Sequence, residues 1–135
     1  MKNRKPYLLD TSAIMTFLED EPGAHEVEKI LYHGAVIPFV TLLEIYYITL
    51  REQGEPAAEH RYALLKRLPV RILSEVPEPV LLKAGYFKSR YKISLADSMI
   101  AAFAWAEKAV LVHKDPEYEQ LETEGLDMVK LPYKS

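Results

Sequence analysis

The sequence predicts a three-layer α/β/α domain with a parallel sheet, and three features lead to that prediction. Short apolar segments of strand length alternate along the chain with longer segments that have helical periodicity. The strand-like segments are apolar throughout, which is typical of parallel strands covered on both faces. Pro and Gly stand at many of the boundaries, as at Pro22 and Gly34. At 135 residues the chain has the length of one domain, so we expect residues 1–135 to form a single domain.

The elements follow from local signals in order along the chain. The predicted strands cover residues 7–9, 35–37, 70–73, 109–112 and 128–131. The first predicted helix follows three potential N-cap residues, 10–12, and ends at Pro22. The other predicted helices cover residues 24–32, 41–53, 56–68, 77–91, 94–108 and 116–122. Each of these helices is bounded by Gly, by Pro or by a residue that can cap a helix end.

The composition excludes several classes of protein. The formal net charge is −3, which argues against a general nucleic-acid-coating protein but leaves room for a local basic patch. The chain has no cysteine, so disulfides and thiolate metal sites are excluded and any metal must be held by oxygen or imidazole. It has neither an apolar run long enough to span a membrane nor a signal-peptide pattern. We therefore expect a cytoplasmic protein.

Three acidic residues stand alone in apolar surroundings. Asp97 is the one formal charge within residues 93–106, and Asp10 and Glu44 lie in comparable stretches. A buried carboxylate is costly unless a charged or hydrogen-bonding group meets it. Three such residues in three apolar stretches suggest a shared site.

Each acid also has a purely structural explanation. Asp10 can cap the helix that follows it. Thr41 with Glu44, and Ser94 with Asp97, have the spacing of a capping box, in which the fourth residue satisfies the first backbone N–H of the helix. Capping does not by itself predict that the surroundings lack Lys and Arg, and this joint absence favours a metal site.

The predicted topology can bring the acids together. Ligands of such folds bind beyond the carboxyl ends of the strands. Asp10 follows the first strand and Asp115 follows the fourth, and Glu44 and Asp97 lie in predicted first turns of helices. Carboxylates that share a crevice repel one another unless a divalent cation compensates their charge, and oxygen ligands suit Mg²⁺ or Mn²⁺. Hydrolysis of a phosphodiester is the resulting hypothesis.

Four segments, in this order, resemble the motifs of a known family. They are Leu8-Leu9-Asp10-Thr11-Ser12-Ala13, Thr41-Leu42-Leu43-Glu44, Leu95-Ala96-Asp97-Ser98-Met99-Ile100-Ala101-Ala102 and Asp115-Pro116-Glu117-Tyr118. The chain is similar in these motifs, and over its whole length, to the PIN-domain ribonucleases, and within them to the VapC-type toxins of prokaryotic toxin–antitoxin pairs.

The resemblance implies a five-stranded parallel sheet in the order 3-2-1-4-5. It also implies that Asp10, Asp97 and Asp115 bind Mg²⁺ or Mn²⁺, that Glu44 completes a catalytic quartet, and that the Ser12 hydroxyl supports the site. The expected activity is cleavage of RNA by metal-activated water. The expected partners are RNA, a small antitoxin protein and a second copy of the chain in a homodimer.

The chain departs from the family pattern before the fourth acid. The family usually has Thr two residues ahead of that acid and Asn or a similar residue just before it, where this chain has His113 and Lys114. Lys114 would add a positive charge beside the metal site, and Glu117 is an alternative to Asp115 as the fourth acid. His113 can be structural or can contact the substrate.

Other functions stay open on the sequence alone. Lys88, Arg90 and Lys92 can bind RNA phosphates or can form a solvated helix end. A non-toxin PIN nuclease that acts in RNA processing would share the fold and the acids. A catalytically silent protein-binding module would use the acids only as helix caps.

Overall fold

A five-stranded sheet in the order β3-β2-β1-β4-β5 forms the centre of the computed structural model, which describes residues 5–133. Every neighbouring pair of strands is parallel. The strands are β1 (Tyr7–Leu9), β2 (Val36–Pro38), β3 (Arg71–Leu73), β4 (Val110–His113) and β5 (Met128–Lys130). The order 3-2-1-4-5 is therefore confirmed, together with the parallel α/β class.

Helices connect the strands and cover both faces of the sheet. They are α1 (Thr11–Leu18), α2 (Ala24–Leu31), α3 (Phe39–Gln53), α4 (Glu55–Arg67), α5 (Glu78–Arg90), α6 (Leu95–Glu107) and a 3-10 helix (Pro116–Glu124). Every predicted element is found, with boundaries that generally move by one or two residues. None of the helices within residues 5–133 combines the length and the apolar character that crossing a membrane requires.

The start of α3 differs from the predicted start, and the difference changes the role of Thr41. The Thr41 signal predicts a helix from residue 41, but α3 begins at Phe39, directly after β2. Pro38 occupies the N-cap position, where its φ of −73° suits a helix start and its missing N–H is no loss. Thr41 therefore lies inside the first turn, and the capping-box interpretation of Thr41 and Glu44 is wrong.

Two apolar layers enclose the sheet. Successive side chains of a strand point to opposite faces, so Leu8 and Leu9 of β1 enter different clusters. The cluster around Leu8 includes residues of α5, α6 and the 3-10 helix, and the cluster around Leu9 includes residues of α1 to α4. The continuous apolar character of the strands is explained by this burial on both faces.

The pairing of β1 with β4 determines where the acids lie. Leu9 is opposite Val112 in this pair, so both strands end at the same edge of the sheet. Asp10 follows β1, and its backbone N–H extends the ladder by donating to the Val112 carbonyl at 3.2 Å. Asp115 lies just beyond β4, and the crevice at this edge is where the candidate site forms.

Candidate active site

Asp10 is a buried helix cap, with only 2% of its surface exposed. Its Oδ1 atom accepts the Ala13 N–H at 2.8 Å, and the Ser12 hydroxyl lies 2.8 and 2.7 Å from its two oxygens. The capping expected for Asp10 is thus confirmed. Burial raises the pKa of Asp10 to about 7 despite these hydrogen bonds, and the charge of Asp115 contributes to the same direction.

The Ser12 hydroxyl joins the two strand ends. It contacts the Asp10 carboxylate and also accepts the backbone N–H of Lys114 at 2.8 Å. One side chain therefore fixes the start of α1 against the loop that follows β4. The prediction that Ser12 supports the site through its hydroxyl is consistent with this contact.

Asp97 enters the site from the first turn of α6. The Ser94 hydroxyl caps this helix by accepting the Asp97 N–H at 3.1 Å, and the buried Tyr118 hydroxyl donates to Asp97 Oδ1 at 2.9 Å. Burial raises the pKa of Asp97 to about 8, with further increases from its contact with the Glu117 carboxyl and from the charges of Asp10 and Asp115. Burial also raises the pKa of Tyr118, so the phenol stays protonated as a donor.

Three carboxylates come together at the crevice. Asp97, Asp115 and Glu117 each present an oxygen that lies within 4.8 Å of the others. Asp115 Oδ1 accepts the Glu117 N–H at 2.9 Å and so caps the 3-10 helix. Glu117 Oε2 in turn accepts the Ser94 N–H at 3.2 Å. Asp115 and Glu117 are therefore both present, where the sequence offered them as alternatives.

The capping box predicted at α6 is half correct. Ser94 supplies its hydroxyl as expected, but the backbone N–H of Ser94 is satisfied by Glu117 and not by Asp97. The Asp97 carboxylate is thereby released from the helix end and meets Tyr118 and the other acids. Glu117, which takes this place, lies 23 positions after Ser94 in the sequence, so local spacing could not reveal it.

Glu44 lies apart from the three clustered carboxylates. It is half-buried in the second turn of α3, and it accepts a hydrogen bond of 2.5 Å from the Thr11 hydroxyl. Thr41 does not cap α3, because its hydroxyl donates to the Leu9 carbonyl at 3.1 Å. Glu44 thus contacts the first residue of α1, next to Asp10, and borders the site on the α3 side.

His113 takes the structural role that the sequence left open for it, whereas Lys114 differs from what its position suggested. His113 is fully buried, and its Nδ1 atom accepts the Asp115 N–H at 3.1 Å, which is a structural contact. Burial lowers the pKa of His113 to about 4 and keeps the ring neutral. The Lys114 ammonium lies 3.3 Å from Glu21 and 3.4 Å from the Pro22 carbonyl. Its charge is therefore paired with Glu21, contrary to the expectation that it adds a positive charge at the acidic cluster.

The basic residues at the end of α5 lie beside the loop that leads to α6. Lys88 donates to the Ile93 carbonyl at 2.8 Å, and the Arg90 guanidinium lies 5.0 Å from the centre of the Tyr86 ring. Lys92 is exposed. RNA binding by these three residues stays a prediction.

The donor set fits a small divalent cation. Ligand oxygens around Mg²⁺ in an octahedron are about 3 to 4 Å apart, a spacing that modest side-chain adjustment of the three carboxylates can reach. Burial is the main cause of the raised pKa values of Asp10 and Asp97, and the neighbouring acids, Asp115 among them, raise both further, so a cation in the crevice would favour the ionised carboxylates. Carboxylate oxygens without thiolate or imidazole ligands match Mg²⁺ or Mn²⁺.

Sequence reasoning missed Tyr118 as a site residue, and it proposed Glu117 only as an alternative fourth acid, without its contact to α6. Tyr118 contacts Asp97, and Glu117 completes the cap of α6. The signal for Tyr118 was its position three residues after Asp115, which places it on the next turn of a helix. That its hydroxyl reaches α6 depends on the tertiary fold.

Comparison with known proteins gives the family. The PIN domain family model matches residues 7–124. Similar solved structures include VapBC2 from Rickettsia felis bound to a promoter DNA fragment, at 16% identity and a TM-score of 0.75, covering 93% of this chain and 98% of that chain. VapBC-1 from nontypeable Haemophilus influenzae is 25% identical with a TM-score of 0.72, covering 92% and 96%.

A third similar structure is Mycobacterium tuberculosis VapC20, described as a Sarcin-Ricin loop cleaving toxin. It is 16% identical with a TM-score of 0.70, and the match covers 92% of this chain and 98% of that chain. No curated protein matches the chain in sequence. The fold, the acidic crevice and the match over residues 7–124 agree, and the chain belongs to the PIN domain family.

Proposed function

We propose that the protein is a Mg²⁺- or Mn²⁺-dependent endoribonuclease and the toxin of a type II toxin–antitoxin pair. The observation that carries the proposal is the meeting of Asp97, Asp115 and Glu117 beside the buried Asp10 in a PIN domain. Structures of VapBC complexes are similar in fold, which supports an antitoxin partner. The similarity to a toxin described as cleaving the Sarcin-Ricin loop supports an RNA substrate.

Asp10, Asp97, Asp115 and Glu117 would hold the cation. The chemistry that such a cation supplies is activation of water and neutralisation of negative charge on the phosphodiester. Without a bound cation, Asp10 and Asp97 retain protons near neutral pH, because burial raises the pKa of both. They are the groups that release protons on binding, since ligand carboxylates must be ionised.

The other side chains bind or orient. Ser12 holds the Asp10 carboxylate, and Thr11 holds Glu44 at the α3 side of the crevice, where Glu44 completes the acidic set. Lys88, Arg90 and Lys92 would contact RNA phosphates at the α5 end. We further propose that the protein acts in the cytoplasm as a homodimer and that its antitoxin blocks the crevice.

The test is cleavage of RNA by the purified protein with Mn²⁺. We expect Asp10→Asn and Asp97→Asn to lower the cleavage rate by about 100-fold or more, because even residues outside the ligand set change metal affinity or activity by about 10 to 100-fold. Asp127→Asn is the matched control, because Asp127 is an exposed carboxylate at the other end of the sheet, where it pairs with Lys5. Cleavage that survives both site substitutions would contradict the proposal.

Toxicity is tested separately from cleavage. Expression of the wild-type chain in bacteria should arrest growth, and expression of Asp97→Asn should not. Harmless expression of a protein that cleaves RNA in vitro would instead favour a PIN nuclease of RNA processing.

One observation favours a catalytically silent binding module. Asp10 and Asp115 each cap a helix, so neither needs a metal to explain its hydrogen bonds. Capping does not account for the contact between the Asp97 and Glu117 carboxyls, which raises the pKa of Asp97 in addition to the larger effect of burial. Calorimetry with millimolar Mn²⁺ decides between the two functions: a silent module gives no heat of binding.

A further inference from the structure

His113 ends β4 and controls the turn that follows. Its own carbonyl accepts the Leu131 N–H at 2.8 Å, which is the last contact of the β4–β5 ladder. The His113 side chain also makes a backbone contact: its Nδ1 atom accepts the Asp115 N–H at 3.1 Å. The imidazole thus satisfies the Asp115 N–H, which has no strand partner because the chain leaves the sheet here toward the acidic cluster.

Tyr118 makes the corresponding contact with a second acid. Its hydroxyl donates to Asp97 Oδ1 at 2.9 Å, and the Asp97 carboxyl also contacts the Glu117 carboxyl. The Tyr118 side chain is fully buried, with its ring centre 5.0 Å from the ring centre of His113. The two rings therefore support each other beneath the crevice while each reaches a different acid.

Packing alone does not explain a histidine at this position. Because Nδ1 accepts a hydrogen bond, the neutral ring carries its proton on Nε2. Nε2 is buried and has no hydrogen-bond partner within residues 5–133. A buried donor without a partner destabilises the fold, so an apolar residue would serve packing better.

We propose that His113 and Tyr118 form a positioning pair that sets two metal ligands, His113 through the backbone of Asp115 and Tyr118 through the carboxylate of Asp97. This inference rests on the proposed function, since it presumes that both acids bind the cation. In this chain His113 performs the task that a Thr hydroxyl can perform at the same place, because a Thr side chain can accept the N–H two residues on.

The Thr and Val variants at position 113 test the His113 half of the pair. They have nearly the same shape and leave the same cavity, but only Thr can accept the Asp115 N–H. We expect His113→Thr to bind Mn²⁺ within about threefold of wild type and His113→Val to bind about tenfold more weakly, the loss typical of a group that orients a ligand. The measurement is Mn²⁺ affinity by calorimetry, with thermal unfolding in EDTA to establish that both variants are folded.

Tyr118→Phe tests the other half, because it removes one hydroxyl and keeps the ring against His113. We again expect Mn²⁺ affinity to fall by about tenfold. Tyr91→Phe is the control: it removes a Tyr–Glu hydrogen bond to Glu124, outside the cluster, and should leave the affinity unchanged.

The outcomes separate this inference from the proposed function. If wild-type protein binds no Mn²⁺ and cleaves no RNA, the proposed function fails and the inference fails with it. If wild-type protein binds Mn²⁺, equal affinities of the Thr and Val variants, or an unchanged affinity of Tyr118→Phe, overturn the positioning pair and leave the proposed function intact.

Discussion

Asp10 serves as the N-cap of α1 and as a carboxylate of the candidate site at the same time. A carboxylate has about four acceptor positions, and the hydrogen bonds from Ala13 and Ser12 do not use all of them. The sequence posed capping and metal binding as competing explanations of this residue. The structure shows that the cap itself holds the carboxylate in the crevice, so the two roles are compatible.

The same burial predicts an effect of Asp10→Asn on stability. The folded protein raises the pKa of Asp10 from 3.8 to about 7, so Asp10 costs stability increasingly as the pH rises from about 4 to about 7, and the full cost remains above that pH. Asn keeps the oxygen that accepts the Ala13 N–H and removes the charge. In EDTA at pH 8 we expect Asp10→Asn to raise the free energy of unfolding by about 1 to 3 kcal/mol, measured by urea denaturation.

The gain should be smaller at pH 5, because only the first part of the pH range between 3.8 and about 7 has then been crossed. Asp127→Asn, the exposed control, should show no comparable gain at either pH. A loss of stability of the same size at both pH values would mean that Asp10 acts as a cap and that its buried charge is of no consequence.

At the level of helices and strands, the sequence located the elements well and their side-chain partners poorly. Caps that lie within one helix were predictable, as at Asp10 and Ser94, because the donor and acceptor are three residues apart. The partners of Thr41 and Glu44 lie on other elements, at Leu9 and Thr11. These contacts depend on the packing of α3 against β1 and α1, which local spacing does not encode.

The N-terminus of α6 offers a test of one such element. Ser94 accepts the Asp97 N–H and donates its own N–H to Glu117, so it joins α6 to the 3-10 helix. Ser94→Ala removes the cap but keeps the backbone contact, and we expect it to lower the free energy of unfolding by about 1 kcal/mol. Mn²⁺ affinity should also fall, because the first turn of α6 carries Asp97.

Ser89→Ala is the control for this prediction, since the Ser89 hydroxyl bonds within α5 to the Tyr86 carbonyl and takes no part in a helix start. Urea denaturation should give an unchanged or slightly higher stability for Ser89→Ala. Equal stabilities of the Ser94 and Ser89 variants would show that the side-chain cap of α6 contributes nothing measurable.

On the scale of the whole molecule, the alternation of apolar strands and helices was sufficient to predict the class, and the adjacency of β1 and β4 came from the family resemblance. That adjacency is what brings Asp10 and Asp115 to one crevice. The environment of the residues after β4 was not predictable. Lys114 pairs with Glu21, 93 positions earlier, and this contact exists only because α1 and its following turn pack beside β4.

The shared crevice also predicts how the stability of the metal-free protein depends on pH. The folded-state pKa values of Asp10 and Asp97 are about 7 and about 8, against 3.8 for each in the unfolded chain. Between these values the folded protein binds more protons than the unfolded chain does. Its stability is therefore highest at low pH within this window, falls as the pH rises from about 4 to about 8, and then levels off.

Mn²⁺ should oppose this dependence, because its ligands must be ionised and its affinity rises as the carboxyls lose their protons. At pH 8, with Mn²⁺ at about 100 times its dissociation constant, binding adds about 2.7 kcal/mol and should raise the melting temperature by roughly 10 °C relative to EDTA. At pH 5 the same Mn²⁺ concentration should raise the melting temperature far less.

Thermal scans of wild type and of the double variant Asp10→Asn with Asp97→Asn measure both effects, and the double variant should show neither. A wild-type melting temperature that changes with neither pH nor Mn²⁺ would mean that burial does not raise the pKa values of these acids and that they do not bind the cation.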